Sequence, residues 1–179
     1  MGWILSALLA GSLLSGCFVR SLHPLFAERE QVFDATLLGA WVQDEDPDVS
    51  IIFSRYGERA YQAEFREPGR TRKYLVSMGK LGEGYYFDVM PVDDSSVDDH
   101  FLPAHSIWRV RWEQDTLRMA SLDHDWLRDL LRRSRPLAFE WVEGDIVLTA
   151  STSELQRFLL RHGSEPGAFG KEESVFHRR

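Results

Sequence analysis

Residues 49–67 read VSIIFSRYGERAYQAEFRE, and the expected fold follows from this stretch. Val49, Ile51 and Phe53 share one face at period two. After a turn at Gly57-Glu58, Tyr61, Ala63 and Phe65 alternate with Gln62, Glu64 and Arg66. Alternation at period two buries one face of a strand and wets the other. A turn this short leaves the two strands no option but antiparallel pairing. Pro68-Gly69 then ends the second strand.

Outward from this hairpin the same signals recur. Further strands are expected at 38–44, 71–81, 84–91, 105–113, 116–122, 139–143 and 146–150, with glycine or polar turns between neighbours. Two helices interrupt them. Asp123 can cap the first, 123–134, in which Trp126, Leu127, Leu130 and Leu131 share a face and arginines crowd the C-terminal end. Ser151 to Glu154 has the spacing of a capping box, and Leu155, Phe158 and Leu159 give the second helix its stripe up to Gly163. The expected fold is mainly β with minor α: an antiparallel eight- or nine-stranded barrel or sandwich with two short helices, spanning 37–163. Residues 17–36 read as a tether and arm that wraps the domain through Leu22, Leu25, Phe26 and Phe33. Residues 164–179 read as a flexible polar tail.

Composition narrows the function classes. The 179-residue chain is 44% hydrophobic and 12% aromatic, which suits one packed domain. Its net charge is −7, and residues 1–16 carry no charged side chain, so the whole imbalance falls after them. Nucleic acid is a poor partner for such a domain. The lone cysteine, Cys17, cannot close an intrachain disulfide.

Residues 3–14, WILSALLAGSLL, are too short an apolar run to span a bilayer, which takes about 20 residues. They have the length of a signal-peptide core, so 1–16 are expected to be a leader. Leu14-Ser15-Gly16-Cys17 follows and resembles the lipobox of bacterial lipoproteins. That resemblance implies cleavage between Gly16 and Cys17, a diacylglyceryl thioether on Cys17, and acylation of the new amino terminus. The absence of Lys and Arg from Met1-Gly2 departs from the pattern. Phe18 replaces the aspartate that resembles an inner-membrane retention signal, which implies the outer membrane facing the periplasm. Two acyl chains hold a protein stably where one holds it only marginally.

Two further resemblances bear on the domain. Gly39-Ala40-Trp41 is similar to the Gly-x-Trp motif that opens the first strand of lipocalins, where the tryptophan plugs the closed end of an eight-stranded barrel. The helix after the last expected strand also has a lipocalin-like place. The arginine that lipocalins stack on that tryptophan has no counterpart in 144–152, GDIVLTAST. The longer phrasing, from SLHPLF and LLGAWV through PAHSIWRV to LTASTSELQRFL, resembles a set of uncharacterised bacterial lipoproteins, and implies no activity, ligand or catalytic residue.

Chemistry-bearing constellations are sparse. His100 and His105 stand five apart beside Asp98 and Asp99, and His124 sits between Asp123 and Asp125. Neither arrangement brings three ligands together as zinc requires. The acidic loop 93–99, DDSSVDD, lacks the glycine and distal glutamate of an EF-hand. No G-x-S-x-G or H-E-x-x-H is present. No catalytic residue, metal or cofactor is therefore assigned. The residues that could line a ligand cavity are Trp41, Tyr61, Phe87 and Trp108, and the same rings could instead fill a core. The expectation is a noncatalytic, membrane-anchored binding module for an apolar small molecule or an envelope protein. The alternative is a hydrolase-like envelope enzyme with a nonlocal active site.

Overall fold

The computed structural model describes residues 19–92, 104–170 and 173–179. Eight strands close into a barrel: β2 (Gly39–Gln43), β3 (Ser50–Tyr56), β4 (Ala60–Glu67), β5 (Arg70–Leu81), β6 (Gly84–Val92), β7 (Ser106–Glu113), β8 (Thr116–Ser121) and β11 (Ser174–Arg178). Each is antiparallel to its chain neighbour, and β11 closes the ring between β8 and β2. This is a lipocalin-like barrel. The founding hairpin has the expected register, with Ile51 opposite Phe65 and Phe53 opposite Ala63.

Three strands lie outside the ring. β1 (Val19–Ser21) runs parallel to β10 (Asp145–Leu148), which pairs antiparallel with β9 (Phe139–Val142). The stretches 139–143 and 146–150 were expected in the single meandering sheet, and they leave it instead. The reason is the outer wall of β6–β8, where Tyr86, Ile107, Ala120 and Leu122 are apolar and need cover. Helices α1 (His124–Ser134) and α2 (Thr152–His162) supply it through Leu127, Leu131, Leu155, Phe158 and Leu159, and β10 adds Ile146 and Leu148. Alternate residues of β6 therefore enter different cores: Phe87 packs inside the barrel and Tyr86 outside it.

Both helices begin as their sequences require. The Asp123 carboxylate accepts from the Trp126 amide at 2.8 Å. At α2 the Glu154 carboxylate accepts from the Ser151 amide at 2.9 Å. α2 precedes the closing strand rather than following it, which corrects its lipocalin-like placement.

The expected flexible tail at 164–179 needs the larger correction. Phe169 is 3% exposed and Phe176 2%. The segment Ser174–Arg178 bonds to two strands at once. Its polarity misled because only alternate residues of a barrel strand face inward. Phe176 fills the lumen while Val175 and His177 stand on the other face.

The arm is also more tightly held than a tether. Leu25 is fully buried and Phe26 nearly so, whereas Leu22 is 40% exposed. Ser21 exchanges backbone hydrogen bonds with His105, next to the start of β7. From there the chain descends the barrel wall, and the Val32 amide donates to the Met78 carbonyl at 2.7 Å. It then turns under the barrel through a single helical turn, Ala35–Leu37.

Phe26 can lie flat on the wall because residue 79 is glycine. A Cβ there would stand 2.3 Å from the Phe26 ring. Gly79→Ala should therefore lift the arm, at the cost of about 1–3 kcal/mol typical of overpacking. Limited proteolysis should then cut within 24–32 while the barrel stays intact. Unchanged protection of that segment would show that the ring moves aside without releasing the arm.

Candidate functional site

The lower end of the barrel is a plug. Trp41 is fully buried, and its indole Nε1 donates to the Leu37 carbonyl at 2.9 Å. The Arg178 guanidinium lies 4.3 Å above the Trp41 ring. From that position it donates to the Leu38 carbonyl at 2.9 Å and to the Thr36 carbonyl. A cation over an indole face, with its N–H groups spent on carbonyls, locks the base of the barrel. This is the stacking arginine that 144–152 lacks. It belongs to β11, which is the true last strand of the barrel.

Above the plug the lumen is filled by rings. Tyr61 is fully buried and Phe87 is 1% exposed. Phe53 lies 6.0 Å from Tyr61 and 5.8 Å from Phe87, and Phe33 of the arm stacks on Tyr61 at 4.9 Å. The Tyr61 hydroxyl accepts from the Asp34 amide at 2.6 Å and donates to the Asp34 carbonyl at 3.1 Å. Burial, with the Asp34 carboxylate adding to it, pushes the Tyr61 phenol up to about 12. Asp34 is itself held below the ordinary carboxylate range, first by the Thr36 hydroxyl.

The structure thus brings Trp41, Tyr61 and Phe87 together as a packed core. Trp108 joins the same apolar cluster toward the other end, where its Nε1 donates to the Ser106 hydroxyl at 3.0 Å. At that end the Arg72–Glu67 ion pair, 3.0 Å apart, is mostly shielded from solvent. The acidic loop 93–99 and His100 lie outside the described residues, as do Gly16 and Cys17.

A concavity lies on the outside of the wall. One cleft of about 300 Å³ runs between the arm and the outer faces of β5 and β6. It is lined by Phe26, Leu75 and Met90 and by the polar groups of Glu28, Ser77 and His105, with Asp88 in its floor. A second, of about 280 Å³, lies at the plugged end beside Tyr85, Arg109 and Trp112. The lining of the second includes Val110 of the luminal cluster, with Tyr85 and Trp112 packed against that cluster.

Asp88 is the unusual group of the first cleft. It is a carboxylate only 3% exposed, and a buried charge survives only when its oxygens are satisfied. Oδ2 accepts from the Leu25 amide at 2.7 Å, and Oδ1 meets His105 Nδ1 at 2.6 Å. The pair therefore ties the arm to the wall and fixes the His105 ring, as a carboxylate does when it orients an imidazole. With Nδ1 committed, Nε2 is the ring atom left for a ligand. Ser77 stands opposite Asp88 in the β5–β6 register, but no hydrogen bond joins it to His105 among the described residues.

Sequence reasoning missed Asp88 altogether and weighed His105 only as a metal-ligand candidate beside His100. The signal was an acid set inside an apolar run, GYYFDVM, yet only the topology shows that the arm covers that face. His124 meets Asp125 at 3.3 Å, and no group of three ligand-type side chains able to hold a metal occurs among the described residues. No protein-family profile matches the chain, and neither a curated protein nor a solved structure matches it.

Proposed function

We propose that this chain is a lipid-anchored envelope lipoprotein that works by holding a partner against its outer wall, not by catalysis. The observation that carries the reading is the contrast between a lumen filled at Trp41, Tyr61 and Phe87 and an outer cleft floored by the Asp88–His105 pair. Rings buried at Trp41, Tyr61 and Phe87 argue against a fatty-acid-sized guest at that level of the lumen. At about 300 Å³ the cleft stands at the lower bound of ligand sites. It fits an apolar side chain of an envelope protein with one polar group for His105. Anchoring rests on Leu14-Ser15-Gly16-Cys17 behind an uncharged apolar run, and Phe18 favours the outer membrane facing the periplasm.

Asp88 and His105 also support a second reading, a hydrolase-like site with Ser77 as nucleophile. That reading requires the Ser77 hydroxyl to reach the imidazole, which is not its present bonding.

The anchor and the mode of binding are tested together. Cys17→Ala should abolish fatty-acid labelling and leave the protein out of the membrane fraction. The unaltered protein, titrated with an apolar naphthylamine probe and fatty-acid competitors, should show no saturable luminal binding. Labelling that survives in Cys17→Ala removes the lipoprotein reading. Saturable binding that Trp108→Ala weakens without unfolding the protein would restore a luminal ligand.

A further inference from the structure

Trp141 and Val142 are unusual among the apolar side chains of this fold. They are 43% and 51% exposed, adjacent, and at the tip of a hairpin. Single exposed apolar residues are ordinary, but an exposed tryptophan beside an exposed valine on an unpaired edge is a surface that proteins cover. β9 is that edge, since the small sheet runs β1-β10-β9 and β9 has no further neighbour among the described residues. The indole is held out firmly: Phe139 meets it edge-on at 5.4 Å, and the Arg132 guanidinium lies 5.8 Å from its ring centre.

The position of this tip relative to the chain says what covers it. Val19, Ile146 and Trp141 lie in one register row across the three strands. Neighbouring strands stand roughly 4.8 Å apart, so Trp141 is about 10 Å from Val19. Val19 is already buried against Ile146, and Cys17 is two residues before it, a reach of at most about 7 Å. A lipid on Cys17 would therefore enter the bilayer beside this tip, with no slack to hold the domain away.

Tryptophan settles at membrane interfaces because its ring is apolar and its N–H wants water, and arginine reaches headgroup phosphates from the same depth. The surrounding charges permit contact. Arg132 lies over the Trp141 ring, and Arg20 on β1 pairs with Asp145 at 3.4 Å, with Glu140 and Glu143 exposed on the hairpin.

We infer that the β9–β10 hairpin tip, Trp141 and Val142 with Arg132 beside them, is a membrane-contact surface seated in the interface of the bilayer that receives the Cys17 lipid. The inference rests on the lipoprotein reading above. It adds an orientation: the plugged end of the barrel, where Tyr56 ends β3, points away from the bilayer.

Because Cys17 is the only cysteine, and lipidation turns its sulfur into a thioether, Val142→Cys and Tyr56→Cys each offer a single free thiol for a fluorescent label. The full lipidated protein is reconstituted into protein-free phosphatidylcholine–phosphatidylglycerol vesicles containing a lipid quencher near the headgroup. The label at 142 should be quenched severalfold more than the label at 56, with a blue-shifted emission. Equal quenching with Cys17 lipidated overturns the inference while leaving the anchor intact, and would reassign the tip to a protein partner. Mass spectrometry showing an unmodified Cys17 thiol would instead remove the lipoprotein reading, and the inference with it.

Discussion

Deletion of residues 174–179 abolishes the cooperative folding of the domain. The segment contributes Phe176 from the lumen, Arg178 from the plug, and backbone pairing to both β8 and β2. Loss of a buried phenylalanine alone costs about 3–5 kcal/mol, and each lost hydrogen bond adds roughly 0.5–1.5 kcal/mol. The total exceeds the 5 kcal/mol or so at the lower end of domain stability. The two bared edges would also pair with other chains. Urea titration followed by near-UV circular dichroism checks this: the shortened chain should lack a cooperative transition and aggregate. Retention of a normal transition would return these residues to the status of a dispensable tail.

The second large effect is expected at Trp41. Trp41→Ala removes a fully buried ring, and with it the surface on which the Arg178 guanidinium lies and the donor that holds the Leu37 carbonyl. The expected loss is about 3–5 kcal/mol. Arg178→Ala should cost less, because its guanidinium lies at the rim. The double variant should lose less than the sum of the two, since the stacking contact can be lost only once. Strict additivity in denaturant titrations of the single and double variants would show that ring and guanidinium stabilise the base independently.

The fold was legible wherever one face of a strand is wet. In β3 and β4 the alternation of Ile51, Phe53, Tyr61 and Ala63 with polar neighbours set both period and register. The same rule failed at the C-terminus. VFHRR carries one luminal apolar side chain, Phe176, and its membership in the ring is decided by pairing with β2 and β8, far away in sequence. Strands β9 and β10 were found but placed in the wrong sheet, because a strand pattern does not say which edge it joins. Trp41, Tyr61 and Phe87 belong to one apolar cluster and Trp108 packs against it, yet periodicity cannot separate a lined cavity from a filled one. The Asp88–His105 pair was invisible for a related reason. An acid at an outward strand position reads as solvated until a separate segment, here the arm at Leu25, is laid over it.

The place of the closing strand has a consequence for how the molecule is made. Trp41 and Arg178 are register partners, so the ring joins β2 to the distant β11. A chain emerging from its N-terminus can form the local hairpins from β2 to β8 early, but it must keep an open, edged sheet until Ser174–Arg178 are free. The interval is lengthened by α1, β9, β10 and α2, all interposed between β8 and its last neighbour. High contact order of this kind makes folding slow and leaves sticky edges exposed meanwhile. The same arrangement makes completion self-reporting. The arginine that seals the floor sits on the closing strand, so a chain cut short anywhere before Ser174 is also a chain that never becomes a barrel.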